Sequence, residues 1–254
     1  MKFESYPFEK LAALTKDIAP NAEYSPLKLT IGEPQFDTPL FIREKLADTA
    51  HTLNKYPKTA GEDELKSAML GFVHRNFGVE LKGEELIPTL GTREVLFNFP
   101  QFYLFGKSSP IMAYPNPFYQ IYEGAAIASK AQALHLNLKS ENGFLPSLDE
   151  LKEHIKNGKK PDIVILNSPN NPTASVMSLE LLKEWMSAAL EYDFLLINDE
   201  CYNQIYFGTP PPSLLEAAIA IGNESFKNCL VLNSISKRSS APGRSEERRV
   251  GKEC

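Results

Sequence analysis

The chain has 254 residues, 43% hydrophobic and 23% charged, with 27 basic against 32 acidic side chains and a formal net charge of −5. This is globular composition, enough for one large domain or two small ones, and it excludes a disordered or collagen-like chain. The mild acidity argues against nucleic acid as the main partner, because phosphate neutralisation needs a basic face.

In chain order, Asp37-Thr38-Pro39 reads as an N-cap with a proline in the first turn, opening a helix through FIREKLADTAHTLN (41–54). EDELKSAMLGFVHRNF (62–77) places Leu65, Met69, Phe72, Val73 and Phe77 at helical spacing and stops at Gly78, a plausible C′ residue. ELIPTL (85–90) predicts a short strand, followed by Gly91-Thr92 and a helical REVLFNF that Pro100 is expected to end or kink. Further strands are predicted at 111–114, 133–136, 162–167, 194–198 and 228–233, with helices over SLDELKEHIKNG and SLELLKEWMSAALEY. DIVIL, DFLLI and CLVL are apolar throughout, as expected of strands covered on both faces. Alternation of such strands with helices predicts an α/β domain around a mostly parallel sheet.

Other features are bland. No apolar run approaches the roughly 18 residues of a membrane span, and the N-terminus carries acids and lacks a continuous apolar stretch, so it does not read as a secretory signal and a cytoplasmic location is expected. Cys201, Cys229 and Cys254 have no metal-type spacing and no even count, and His51, His74, His135 and His154 are scattered, so no metal site is expected. Trp185 sits on a helical apolar stripe and reads as core, and Cys201 as a small buried thiol.

The polar clusters fall at strand ends, where doubly wound sheets bind ligands. DIVIL runs into NSPNNPT, FLLIN into DECY, CLVLN into SISK, IMAY into PNPFY, and PTL into GTR. Alone, each has a plain explanation. Gly91-Thr92 fits an ordinary strand-to-helix turn as well as an anion site. Asp199 fits a cap, Tyr119 and Tyr122 half-buried packing, and Lys237 a surface lysine.

Together, GTREVLF, PNPFYQIYEG, SPNNPT, NDECY and SISKRSSAPG resemble the class I/II aminotransferases, the fold-type I enzymes dependent on pyridoxal 5′-phosphate (PLP). The resemblance covers about residues 3–243 and implies a PLP-binding large domain whose mostly parallel sheet is sandwiched by helices. It implies Lys237 as the covalent anchor of the cofactor and proton shuttle, and Asp199 as partner of the pyridine nitrogen. Tyr202 and Asn171 would bond the ring oxygen, and Tyr119 would stack on the ring. Gly91, Thr92, Arg93, Ser234 and Ser236 would hold the phosphate. Tyr56 would reach the phosphate of a neighbouring subunit in a homodimer, and Gly32 would lie near the substrate carboxylate. The implied domains are an N-terminal arm and part of a small domain (1–45) and an incomplete cofactor domain (46–243).

There are departures. Ala174 stands where the family commonly has glycine, so the turn there is expected to be shaped differently. RSEERRVGKEC (244–254) resembles a translated sequencing adaptor and reads as a non-native tail, so Arg244 is given no role. The C-terminal small domain has no counterpart. A truncated chain is therefore expected, poorly soluble and nearly inactive by itself. The implied reaction exchanges an amino group between an amino acid and a 2-oxo acid. The strings PNPFYQIYEGAA and NDECY look most like N-succinyldiaminopimelate aminotransferases of lysine biosynthesis, with 2-oxoglutarate as partner substrate. A PLP-dependent carbon–sulfur β-lyase and a non-catalytic PLP-binding regulatory domain are the alternatives.

Overall fold

The computed structural model describes residues 7–25, 27 and 32–244; the tail from 245 onward lies outside them. The described residues form a five-stranded sheet of β1 (Ile111–Asn116), β2 (Gln132–Asn137), β3 (Ile163–Asn167), β4 (Leu195–Asp199) and β5 (Cys229–Leu232), in the order β2-β1-β3-β4-β5. Every pairing is parallel. The helices are α1 (Pro7–Thr15), α2 (Leu40–Asp48), α3 (Asp63–Phe77), α4 (Thr92–Tyr103), α5 (Ile121–Ala128), α6 (Leu148–Lys156), α7 (Leu179–Tyr192), α8 (Leu214–Ala220) and α9 (Ile235–Arg238).

Strand alternation explains the uninterrupted apolar runs. Val164, Leu166 and Leu196 pack with Leu182, Trp185, Met186 and Leu214 from α7 and α8. Their neighbours Ile163, Ile165, Leu195 and Ile197 pack on the opposite face with Leu96, Tyr122, Ala125 and Ala126 from α4 and α5. Because successive side chains point to opposite faces, a strand covered twice must be apolar at every position. Trp185 is fully buried, as its place on the apolar stripe predicted.

Serines set the helix starts. Ser147 and Ser178 accept hydrogen bonds from the N–H groups of Glu150 and Leu181, satisfying donors that have no partner within the first turn. At the other kind of terminus, Gly78 closes α3 in the left-handed conformation (φ 64°), where glycine carries no Cβ penalty.

Three local expectations fail for physical reasons. The helix expected over 41–54 divides into α2 and a 3₁₀ turn, Ala50–Thr52, and Asp37-Thr38 does not cap it. The flanking residue is Pro39, without a side-chain cap, while the Thr38 hydroxyl donates to the carbonyl of Ser240. Residues 86–90 join no strand of the sheet: Pro88 has no N–H for a ladder, and Ile87 and Leu90 are exposed. Finally, α4 continues through Pro100, whose ring is buried with Leu96; packing outweighs the missing donor, and the Leu104 N–H still bonds the Pro100 carbonyl.

From β1 the chain goes outward to β2 and returns to β3 on the other side of β1. The strand order reverses there, and in doubly wound sheets such a point, beyond the carboxyl ends of the strands, is where ligands bind.

Candidate active site

Parallel register brings the strand ends level. Asn167 at the end of β3 pairs with Asp199 at the end of β4, and Asp199 with Leu232 at the end of β5. Asn167 then shapes the loop that follows. Its Nδ2 donates to the carbonyls of Asp199 (2.8 Å) and Pro169 (3.1 Å), and its Oδ1 accepts from the N–H of Asn171 (2.6 Å). The loop closes as the N–H and hydroxyl of Thr173 donate to Asn170 Oδ1. Ala174 takes φ 59°, so the turn has the glycine-type shape despite its alanine, at a cost of about 1 kcal/mol.

Asp199 is the electrostatic centre. Its side chain is buried; Oδ2 accepts from the Tyr122 hydroxyl at 2.9 Å and Oδ1 from the Cys201 N–H at 3.2 Å. Burial raises the carboxyl above its ordinary range, and hydrogen bonds from the Cys201 thiol, Tyr122 and the Cys201 amide offset only part of that. The carboxylate is therefore an acceptor short of positive charge. Burial and the adjacent carboxylate push the Tyr122 phenol well up, so it stays a neutral donor.

The start of α4 is fastened to this centre, since Thr92 Oγ1 lies 3.0 Å from Cys201 Sγ. Gly91 precedes the helix at φ 144°, ψ 148°, a conformation that excludes residues with a Cβ. The first N–H groups of α4 have no acceptor within the helix, and the partial positive charge of its N-terminus favours an anion. Thr92 is buried and Arg93 half-buried at this end.

Next to β4, β5 leads into α9. Ser234 caps it by accepting from the Ser236 N–H (3.1 Å) and donates its hydroxyl to Ser236 Oγ (2.8 Å). Lys237 is half-buried, and its Nζ donates to the carbonyl of Gly32 at 3.2 Å, joining the N-terminal segment to the strand ends. Tyr119 stands edge-on to Tyr122, ring centroids 5.8 Å apart at 84°. Tyr202 lies in the turn directly after Asp199, where its carbonyl accepts from the Ile205 N–H.

The fold thus gathers Thr92, Tyr119, Asn171, Asp199, Tyr202, Ser234, Ser236 and Lys237 at one edge of the sheet. Tyr56 is fully exposed within this chain. The sequence reading missed the parts played by Asn167, Tyr122 and Cys201. Tyr122 is fully buried rather than half-buried, and its spacing of three residues from Tyr119 was the available signal. Cys201 is half-buried and hydrogen-bonded rather than a plain packing thiol.

Glu200 faces α8. Its Oε1 accepts from Asn198 Nδ2 (2.9 Å), the Ser213 hydroxyl (3.1 Å) and the Leu214 N–H (2.8 Å), while burial pushes its carboxyl up to about 8. The folded state binds this proton more tightly than the unfolded chain, whose carboxyl titrates near 4.5. Stability is therefore highest below the unfolded value and falls as pH rises from about 4.5 to about 8. Denaturant titrations across that window should show the decline, and Glu200→Gln should flatten it.

Residues 25–245 match the family model described as aminotransferase class I and II. The chain belongs to this family. It is 58% identical to the aminotransferase AspB of Helicobacter pylori, whose crystal structure superposes with a TM-score of 0.88 over 96% of this chain and 63% of that one. An aminotransferase structure from Neisseria meningitidis matches at 36% identity and a TM-score of 0.88, covering 95% of this chain and 62% of that one. Among curated relatives, the LL-diaminopimelate aminotransferase of Aquifex aeolicus is 34% identical over 194 residues, 75% of this chain and 49% of that protein. The chain spans about half the length of the curated relatives it matches. The relatives' names carry LL-diaminopimelate, not the N-succinyl form that the sequence strings suggested.

The cofactor of this aminotransferase family is PLP, and the residues present fit it. A buried carboxylate short of positive charge suits a protonated ring nitrogen, and a glycine-led helix start with free N–H groups suits a phosphate. Lys237, in the α9 helix that follows β5, carries an amine of the kind that condenses with an aldehyde.

Proposed function

We propose that the chain is the cofactor-binding part, residues 46–243, of a PLP-dependent aminotransferase that exchanges an amino group between an amino acid and a 2-oxo acid. The observation that carries this reading is the buried Asp199 carboxylate, held by Tyr122 and Cys201 at the end of β4, beside the β5 end that leads to Lys237.

When bound, PLP supplies an aldehyde that captures amines and a ring that takes up the electrons released at the substrate α-carbon. Lys237 would hold the cofactor covalently through its amine, and that amine, when free, would serve as the base that moves the substrate α-proton. Asp199 holds a proton on the ring nitrogen. The N–H groups at Gly91, Thr92 and Arg93 and the hydroxyls of Ser234 and Ser236 bind the phosphate. Tyr202 and Asn171 would donate to the ring oxygen, Tyr119 would pack on the ring, and Gly32 would lie near the substrate carboxylate. Tyr56, exposed within one chain, completes the phosphate site of a second copy in a homodimer.

For the substrate, the relatives' names support LL-diaminopimelate as amino donor; 2-oxoglutarate is the acceptor expected from the family resemblance. The N-succinylated donor is the competing substrate. Among the described residues no helix is long and apolar enough to cross a membrane. The test offers PLP-loaded protein each donor with 2-oxoglutarate and measures glutamate. Glutamate from either supports transamination, and their ratio of kcat/KM identifies the donor. Pyruvate and thiol released from cystathionine without any glutamate would replace this reading by the lyase.

A further inference from the structure

The groups around Asp199 form an arrangement that the aminotransferase reading does not by itself require. Each carboxylate oxygen has its own donor: Tyr122 from α5 on Oδ2, and the Cys201 N–H on Oδ1. The Cys201 side chain is also among the neighbours that lower the Asp199 carboxyl against the effect of burial. A carboxylate accepts only, and a thiol has one hydrogen, so that hydrogen points to Asp199. With the thiol hydrogen directed there, the sulfur is left to accept from the Thr92 hydroxyl across their 3.0 Å contact, in which either atom can donate. Thr92 is the first residue of α4, the helix start proposed to bind the phosphate. A directed series therefore runs from Thr92 through Cys201 to Asp199 and meets Tyr122 on the other oxygen.

The remaining ionisable neighbours do not interrupt it. Tyr119 stands edge-on to Tyr122 from the same segment. Glu200, next in sequence, turns to Asn198, Ser213 and Leu214. Among the described residues, Tyr122 and Cys201 are the titratable neighbours that act on this carboxyl.

We infer that Tyr122 and Cys201 are positioning residues that together keep Asp199 ionised, and that the Cys201 sulfur couples this charge to the start of α4 through Thr92. The inference rests on the assignment of Asp199 as partner of the ring nitrogen. Tyr122 and Cys201 touch neither cofactor nor substrate in it. Neither oxygen can lose its donor without favouring the protonated acid, which could no longer stabilise a positive ring nitrogen.

The experiment reads Asp199 itself in the cofactor-free full chain, by the pH titration of its infrared carboxyl band, assigned by the band's loss in Asp199→Asn. Tyr122→Phe keeps the ring and removes the donor, and should move the midpoint up by about one to two pH units, the effect of one lost hydrogen bond to a charged group. Cys201→Ala should move it in the same direction, and Cys201→Ser, which restores a donor and acceptor, should return it toward the parent value. Unmoved midpoints in Tyr122→Phe and Cys201→Ala, with circular dichroism unchanged, would overturn the inference. If Tyr122→Phe fails to fold, the cysteine pair decides alone: serine no better than alanine overturns it. Because this midpoint is read without cofactor, it is independent of covalent trapping at Lys237, so failure of one is distinguishable from failure of the other.

Discussion

In the full-length enzyme, replacing Lys237 with alanine should abolish reductive trapping of PLP and lower turnover by several powers of ten, on the order of what losing a nucleophile that also acts as base costs. The structure makes this a clean substitution. Lys237 lies on the four-residue α9, is half-buried, and donates from Nζ to the Gly32 carbonyl, so its loss should cost only about 1 kcal/mol of stability. Ser234 still caps the helix through the Ser236 N–H, and the strand ends keep their register. The measurements are borohydride reduction followed by peptide mass mapping, with thermal unfolding as control. Labelling that persists at another lysine in Lys237→Ala would reject the assignment, because only one amine leads off the strand end adjoining Asp199.

Asp199→Asn should be the second large loss, about 10²–10³-fold in kcat, the range for removing one group that stabilises developing charge. Here catalysis and stability should move in opposite directions. An asparagine oxygen can still accept from the Cys201 N–H, and the Tyr122 hydroxyl can turn to accept from the new amide. The side-chain volume is nearly unchanged, and the burial penalty on the charge, the largest influence on this carboxyl, disappears. Cofactor-free Asp199→Asn should therefore unfold at the same temperature as the parent or higher. A substantial fall in melting temperature alongside lost activity would instead give Asp199 a structural role.

The two residues differ in how directly the chain reveals them. Lys237 is announced by SISK at the end of an apolar run, and Asp199 by NDECY at the end of another. The donors that govern Asp199 come from distant segments: Tyr122 is 77 residues away, and the contact between Cys201 and Thr92 spans 109. No local periodicity records such separations. Tyr122 sits where a helix face needs a large apolar side chain, so pattern alone reports packing, and only burial against β4 gives its hydroxyl a partner. Ala174 shows the converse: its sequence suggested a different turn, yet the bonds around Asn170 hold it at φ 59°.

Much of the fold was legible for a simple reason. Strands covered on both faces must be apolar at successive positions, and helices covered on one face must repeat near 3.6 residues, so β3, β4, α3, α6 and α7 were written locally. Where local signals and packing disagreed, packing prevailed: α4 passes through Pro100 because its ring is buried, and Thr38 bonds Ser240 instead of capping α2. The sequence by itself determined the parallel α/β class, the family, and the residues ending each strand. The strand order β2-β1-β3-β4-β5, and with it the place where those endings meet, was decided by the tertiary structure. Strand neighbours are chosen by burying both faces of the whole sheet at once, a collective energy that no segment carries alone.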